Sequence, residues 1–241
     1  MARFEDGGSW VALAADHLAD VYPSADGVSA WTRELVYLRP NQFVVYDRTT
    51  VSTVSDEHLN WHLLFTPSAV SSTRWDVNNP TAGFMGAMTT VLPAGAQVSA
   101  VNVFNLSKVY RLEVRAPSPA ANMQWLTVFD TAPSAAGVAA ASKLTSSSNV
   151  SGALLASSGG NAAVLFGASG TVSGAVTFSD PAAATRVVVS DLAPSTSYAV
   201  SVSVSGGAHA VTVQPGAGFT TTANGTLAVS ISATGAVTAL H

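Results

Sequence analysis

The chain of 241 residues contains no cysteine, which excludes disulfides, thiolate metal sites and cysteine nucleophiles. Charge is scarce as well, at 10% of residues against about 25% in ordinary soluble domains. Only Lys108 and Lys143 supply lysine among the ten basic residues. A nucleic-acid partner calls for clustered Lys and Arg that displace counterions from phosphates, so nucleic acid is excluded. No run of eighteen or more apolar residues occurs, so no membrane-spanning helix is expected. The opening Met1-Ala2-Arg3-Phe4-Glu5-Asp6 lacks the apolar stretch of a secretory signal. A polar surface of Ser, Thr and Asn leads us to expect an extracellular or periplasmic protein whose export signal is missing from this chain. The abrupt start at Arg3-Phe4-Glu5-Asp6 is expected of a piece cut from a longer protein.

What is present is aliphatic and small. Hydrophobic residues make up 48% and the net charge is -4, which is the opposite of a disordered composition. Residues 1 to 130 hold 20 of the charged side chains, whereas 131 to 241 hold only Lys143, Asp180, Arg186 and Asp191. This asymmetry predicts two domains, 1–132 and 133–241, joined at the Pro/Gly/Ala-rich Thr131-Ala132-Pro133-Ser134-Ala135-Ala136-Gly137. Residues 134–160 read either as a flexible stretch or, in their second half, as the start of the next sheet.

Periodicity indicates strands almost throughout. In Val109-Tyr110-Arg111-Leu112-Glu113-Val114-Arg115, Tyr110, Leu112 and Val114 point one way and the charged residues the other. Further strands are expected at Glu34 to Leu38, Gln42 to Asp47, Asn60 to Phe65, Val98 to Phe104 and Gln124 to Phe129. The second half adds Ala162 to Phe166, Val172 to Phe178, Arg186 to Val189, Tyr198 to Val204, Ala210 to Val213 and Leu227 to Ile231. Ala12 to Ala19 fits a short helix and an extended segment equally. Short strands between Pro, Gly, Asn and Ser turns predict an all-β protein of two antiparallel β-sandwich domains in series, the second smaller and fibronectin-like. In that second domain Leu192-Ala193-Pro194-Ser195-Thr196-Ser197-Tyr198 has the spacing of a tyrosine corner, whose hydroxyl bonds upstream backbone.

Chemistry-bearing motifs are few. No nucleophile elbow, phosphate-cradling glycine loop or paired-histidine zinc motif is present. In Asp56-Glu57-His58-Leu59-Asn60-Trp61-His62, a strand would place His58, Asn60 and His62 on one face. Two imidazoles and an amide can hold a metal or a sugar; a half-buried strand bonded to backbone explains them as well, and no third ligand is fixed by spacing. His17, between Asp16 and Asp20, reads as a solvated turn or a second ligand group. His62 and His58 are thus the candidate catalytic residues. Trp10, Trp31, Trp61, Trp75 and Trp125 all fall within the first domain, where indoles fill cores or stack on sugar rings. Trp75 lies in the turn-rich Ser71 to Pro80, and Arg74 beside it is suited to a carboxylate. Trp75, Arg74 and Trp61 are therefore the candidate carbohydrate contacts.

The stretch Trp31-Thr32-Arg33-Glu34-Leu35-Val36-Tyr37-Leu38-Arg39-Pro40-Asn41-Gln42-Phe43-Val44-Val45-Tyr46-Asp47-Arg48 resembles the β-sandwich that follows the helical toroid of heparinase II/III-like polysaccharide lyases. Asn60 to Phe65 and Met123 to Phe129 look like later strands of that sandwich, and the tyrosine corner is similar to that of the family's small C-terminal domain. The resemblance implies β-elimination of uronate-containing polysaccharides by residues mostly on an N-terminal helical toroid, which this chain lacks. It also implies a metal site in some members, with Asp47 matching one ligand. The partner histidines expected near Val28 to Trp31 are missing, and His62 departs from the spacing. Asp47 is therefore expected to pair with Arg48, Arg33 or backbone donors, no cofactor is expected, and the candidate metal ligands reduce to Asp47 and His62.

The expected function is a noncatalytic sandwich portion of such a lyase, with an acidic polysaccharide and an N-terminal helical catalytic domain as partners. The alternative is a stand-alone extracellular adhesive or structural module that binds a glycan or a protein. A small autonomous lyase working through His58, His62 and a Tyr is the third reading.

Overall fold

The computed structural model describes residues 2–54, 57–79, 81, 83–103, 109–156, 160–181 and 186–241. Its strands, in chain order, are β1 (Ala2–Asp6), β2 (Trp10–Ala15), β3 (Val28–Leu38), β4 (Gln42–Val51), β5 (His58–Leu64), β6 (Pro67–Ala69), β7 (Arg74–Asn79), β8 (Phe84–Leu92), β9 (Gln97–Asn102), β10 (Val109–Arg115) and β11 (Asn122–Ala132). There follow β12 (Ala140–Lys143), β13 (Thr145–Ser146), β14 (Val150–Ala156), β15 (Ala162–Gly167), β16 (Val176–Asp180), β17 (Arg186–Val189), β18 (Ser197–Ser205), β19 (Ala208–Pro215), β20 (Phe219–Thr220), β21 (Leu227–Ile231) and β22 (Val237–Ala239). Among the described residues the helices are single turns such as Leu18–Val21. The protein is all-β and built of packed antiparallel sheets, as the period-two patterns predict.

Two compact units emerge. A central unit takes Ala15–Arg33 and Asn41–Val138; a terminal unit takes Met1–Ala14, Glu34–Pro40 and Ala139–His241. The expected junction at 132/133 falls at the end of β11, whereas the units exchange at Val138 and the first fourteen residues group with the last hundred. The backbone of β3 passes from one unit to the other after Arg33.

In the central unit the first half of β3 heads the order β4-β11-β8-β7-β6, and a separate sheet runs β5-β10-β9. Alternation on β10 works as the sequence predicts: Leu112 and Val114 enter a core with Leu59, Met88, Ala96, Met123 and Trp125. Arg111, Glu113 and Arg115 point the other way. Val98 to Phe104 is realised as β9, with Phe104 outside the described residues.

The terminal unit packs β12-β14-β15-β17-β21-β22 against β13-β16-β19-β18-β20. Between them lie Leu144, Leu165, Phe178, Tyr198, Val213 and Val229, all nearly water-free. One ladder, β15 with β17, is parallel, running Ala162 opposite Arg186 to Leu165 opposite Val189. The expected strand Val172 to Phe178 is broken: Val172 makes an isolated bridge to Leu192 and the ladder resumes at Val176. Tyr198 forms the corner, its hydroxyl accepting from the Ala193 amide at 3.0 Å, with Asp191 and Ser195 in the left-handed region that so tight a loop requires.

The N-terminal strands are tied into the terminal unit by polar contacts. Arg3 donates to Asp191 Oδ1 at 2.8 Å and to Glu34 Oε2 at 3.4 Å, and the Ser190 hydroxyl joins Glu34 at 3.3 Å. Asp191 also accepts from the Gly167 amide at 3.1 Å. Trp10 donates its indole N–H to the Leu240 carbonyl, and Arg186 donates to the carbonyl of Arg39.

Candidate functional site

On β3, Trp31 and Arg33 are two positions apart and so share a face. They converge on Asp47 of β4. The Arg33 guanidinium meets the carboxylate twice, Nε to Oδ1 at 2.7 Å and Nη2 to Oδ2 at 3.1 Å, and the Trp31 indole donates to Oδ1 at 2.6 Å. Burial pushes the Asp47 carboxyl up, opposed by Arg33 and Trp31. The guanidinium lies 5.3 Å from the Trp31 ring and 4.7 Å from the Trp61 ring, within cation–π range of both. Trp61 in turn meets Phe129 edge-on at 4.9 Å, and Tyr22 leans on Trp31 at 5.7 Å. Asp47 is thus paired with Arg33, one of its expected partners, and Trp31 serves as a donor to it.

This stack decides where the sequence candidates stand. Trp61 turns inward onto Arg33, so His62, next along β5, projects from the opposite, exposed face. Asp47 and His62 are not brought together. His58 and His62 do share the outer face of β5 with Asn60, opposite Arg115, Arg111 and Glu113 of β10 respectively. Arg111 and Arg115 both bond the Glu113 carboxylate, Arg115 at 3.0 Å. Arg74 is spent on Asp76, Nε to Oδ1 at 2.9 Å. Trp75, expected in a turn, sits half-buried on β7 against the central core, opposite Met88 of β8. His17 is exposed, 4.0 Å from the Asp20 carboxylate. Among the described residues no three His, Asp or Glu side chains gather as a metal-ligand set.

A cleft of about 270 Å³ lies beside the stack, wholly in the central unit. Tyr22, Trp31 and Trp125 give it ring surfaces; Asp26, Thr49, Glu57, His58 and Asn60 give it polar groups. Its polar floor is wired in series. The Trp125 indole donates to the Thr49 hydroxyl at 3.2 Å, and that hydroxyl donates to Glu57 Oε2 at 3.0 Å. Glu57 Oε1 is buried and meets no hydrogen-bond donor among the described residues. Burial pushes the Glu57 carboxyl up, with the Thr49 bond pulling the other way. In the sequence Glu57 stands out only as a neighbour of His58. Tyr22, Thr49 and Trp125 lie far apart in the chain, and no local spacing could have gathered them.

No protein-family model and no curated protein sequence matches the chain. Among solved structures, the fold is similar to a mutant heparan sulfate lyase from Pedobacter heparinus, with a TM-score of 0.50 and 12% identity over 68% of this chain. It is similar also to a heparinase III, with a TM-score of 0.52 and 11% identity over 69% of this chain. At these identities the likeness is one of fold. The chain matches 27% of the length of each of those proteins. A partial heparinase-like β fold is therefore present, in agreement with the resemblance read at Trp31 to Arg48. No helix among the described residues is long and apolar enough to cross a membrane.

Proposed function

We propose that the chain is the noncatalytic β-sandwich portion of an exported heparinase II/III-like polysaccharide lyase, supporting a helical catalytic domain and contacting an acidic polysaccharide. The observation that carries this reading is the sandwich fold shared with two such enzymes, over about a quarter of each of them.

The side chains favour the noncatalytic part of the reading. Lyase chemistry needs a base for the proton next to the uronate carboxyl and a cation or amide to neutralise that carboxyl. Tyr37 is bonded to the Pro40 carbonyl, Tyr46 is fully buried, Tyr110 meets Thr66, and Tyr198 holds its corner. Only Tyr22 lines the cleft, where Asp26 and Glu57 would repel a uronate.

An acidic glycan is better matched by the open face of β5-β10-β9, where Arg111, Arg115, His58 and His62 stand around Glu113. The test is retention of the purified chain on immobilised heparin at low salt, with assay for unsaturated uronate by ultraviolet absorbance. Retention without turnover is expected, weakened in Arg111→Ala/Arg115→Ala and strengthened in Glu113→Gln, which frees both guanidiniums. Turnover by the chain alone overturns the noncatalytic reading; retention indifferent to all three substitutions overturns the glycan face.

A further inference from the structure

The cleft beside Trp31 has a charge and a surface that the open face of β5-β10-β9 does not. Its rim carries two carboxylates, Asp26 and Glu57, against one imidazole, His58. Its walls are Tyr22, tilted at 43° to Trp31, and the indole of Trp125. Aromatic faces are the negative regions of their rings, so they add to the attraction for a cation that the carboxylates create. Arg33, the nearby cation, is already held by both oxygens of Asp47.

One atom defines what is missing. Glu57 Oε2 is satisfied by Thr49, whose hydroxyl is itself fixed by the Trp125 indole, while buried Oε1 meets no donor among the described residues. A buried acceptor without a donor is costly, typically about 1–3 kcal/mol and more when charged. The Trp125–Thr49 pair anchors Oε2 without completing the bonds of the carboxylate, so a turn of the carboxylate that brings Oε1 to the cleft would let a donor there complete them. A volume near 270 Å³ lies just under the usual range for small-ligand pockets, about 300–1,000 Å³, and suits a ligand of roughly one sugar ring.

We propose that this cleft binds a protonated primary amine of monosaccharide size, the ammonium group drawn to the Glu57 and Asp26 carboxylates and lying against the Tyr22 and Trp31 rings. A hydroxyl could also donate to a carboxylate, but the two carboxylates and the ring faces give a positive charge the advantage. Such an amine comes either from an unacetylated amino sugar or from a lysine side chain of a protein partner. Arg111 and Arg115 take no part in the site, which shares only His58 and Asn60 with the glycan face proposed above, so Glu57→Gln and Tyr22→Ala test the cleft separately from that face.

The experiment is a titration of the whole chain followed by tryptophan fluorescence, since Trp31 and Trp125 line the cleft. The probes are a glucosamine tetrasaccharide, its fully N-acetylated counterpart, and Nα-acetyl-lysine methylamide. Saturable binding of an amine probe is expected, about tenfold or more weaker for the N-acetylated sugar and in Glu57→Gln. Preference for the tetrasaccharide identifies an amino sugar as the source, and preference for the lysine derivative identifies a protein side chain. Tyr22→Ala, at a residue 40% exposed, removes ring surface outside the core, and the same loss is expected there even if Glu57→Gln fails to fold. Equal binding of the N-acetylated sugar, indifference to Glu57→Gln and Tyr22→Ala, or no binding of either amine overturns the proposal.

Discussion

Arg33 grips Asp47 at two points, and the grip is one-sided in its exposure: the Asp47 side chain is 1% accessible and the Arg33 side chain 30%. The asymmetry sets the cost of losing either partner. Arg33→Ala strands a buried carboxylate and is expected to cost about 3–5 kcal/mol. Asp47→Ala leaves a guanidinium that still reaches water and an indole N–H without its acceptor, and is expected to cost less, about 1–3 kcal/mol. Urea unfolding of the two variants checks the order; equal costs would show that the indole faces, and not the carboxylate, hold Arg33 in place.

Arg3 bears on two buried carboxylates at once, Glu34 and Asp191. Its removal in Arg3→Ala is expected to destabilise by about 3–5 kcal/mol, although the residue lies near the chain start. The deficit should shrink in acid, where a protonated carboxyl needs no counter-charge. Thermal melts of both proteins at neutral and acidic pH measure this.

Gly225 has a φ of +86°, and a Cβ there would lie 2.1 Å from the carbonyl oxygen of Leu192. That same loop exchanges a backbone bond, Leu192 N–H to Gly225 O at 2.9 Å. Gly225→Ala therefore combines left-handed strain with a backbone clash and should cost about 2 kcal/mol or more. Denaturant titration would show it as a lowered midpoint; an unchanged midpoint would mean that the loop shifts freely.

Glu57 gives the central unit a pH signature. Burial raises its carboxyl in the folded state, so the folded chain binds that proton more tightly than the unfolded chain. Between the ordinary glutamate value and the raised one, the folded state holds more protons, and stability falls as pH rises through this window. Below the window both states are protonated and the penalty is absent. Glu57→Gln removes this contribution, so the slope of stability against pH should flatten there. An unaltered slope would place the titration elsewhere.

Much of the fold is legible in the sequence because many strands bury one face. β10 reads off its Leu112 and Val114, and the tyrosine corner reads off Leu192-x-Pro194 and Tyr198. β8 escapes the same reading, because Ala87, Met88, Thr89 and Thr90 are buried in succession and a strand covered on both faces shows no alternation. Trp75 follows from that miss: its Ser, Asn and Pro neighbours suggest turns, but β7 is held by its pairing with β8. The pairing of Asp47 with Arg33 is foreshadowed by the absence of histidines near Trp31. The Trp125–Thr49–Glu57 relay is not foreshadowed, since it joins β11, β4 and the start of β5 through tertiary packing alone.

The grouping of Met1–Ala14 and Glu34–Pro40 with Ala139–His241 imposes an order on biosynthesis. At about 5–20 residues added per second, Arg3 leaves the ribosome on the order of ten seconds or more before Asp191 exists to receive it. The residues of the central unit all precede Asp191 in the chain, so this unit can close while Arg3 still waits for its second carboxylate. β1 and β2 neighbour β3 in their sheet, so their strand pairing can form early, whereas Asp191, which Arg3 grips, and Leu240, which accepts from Trp10, arrive much later. A nascent chain halted before Asp191 would hold its first strands paired but leave Arg3 with Glu34 alone.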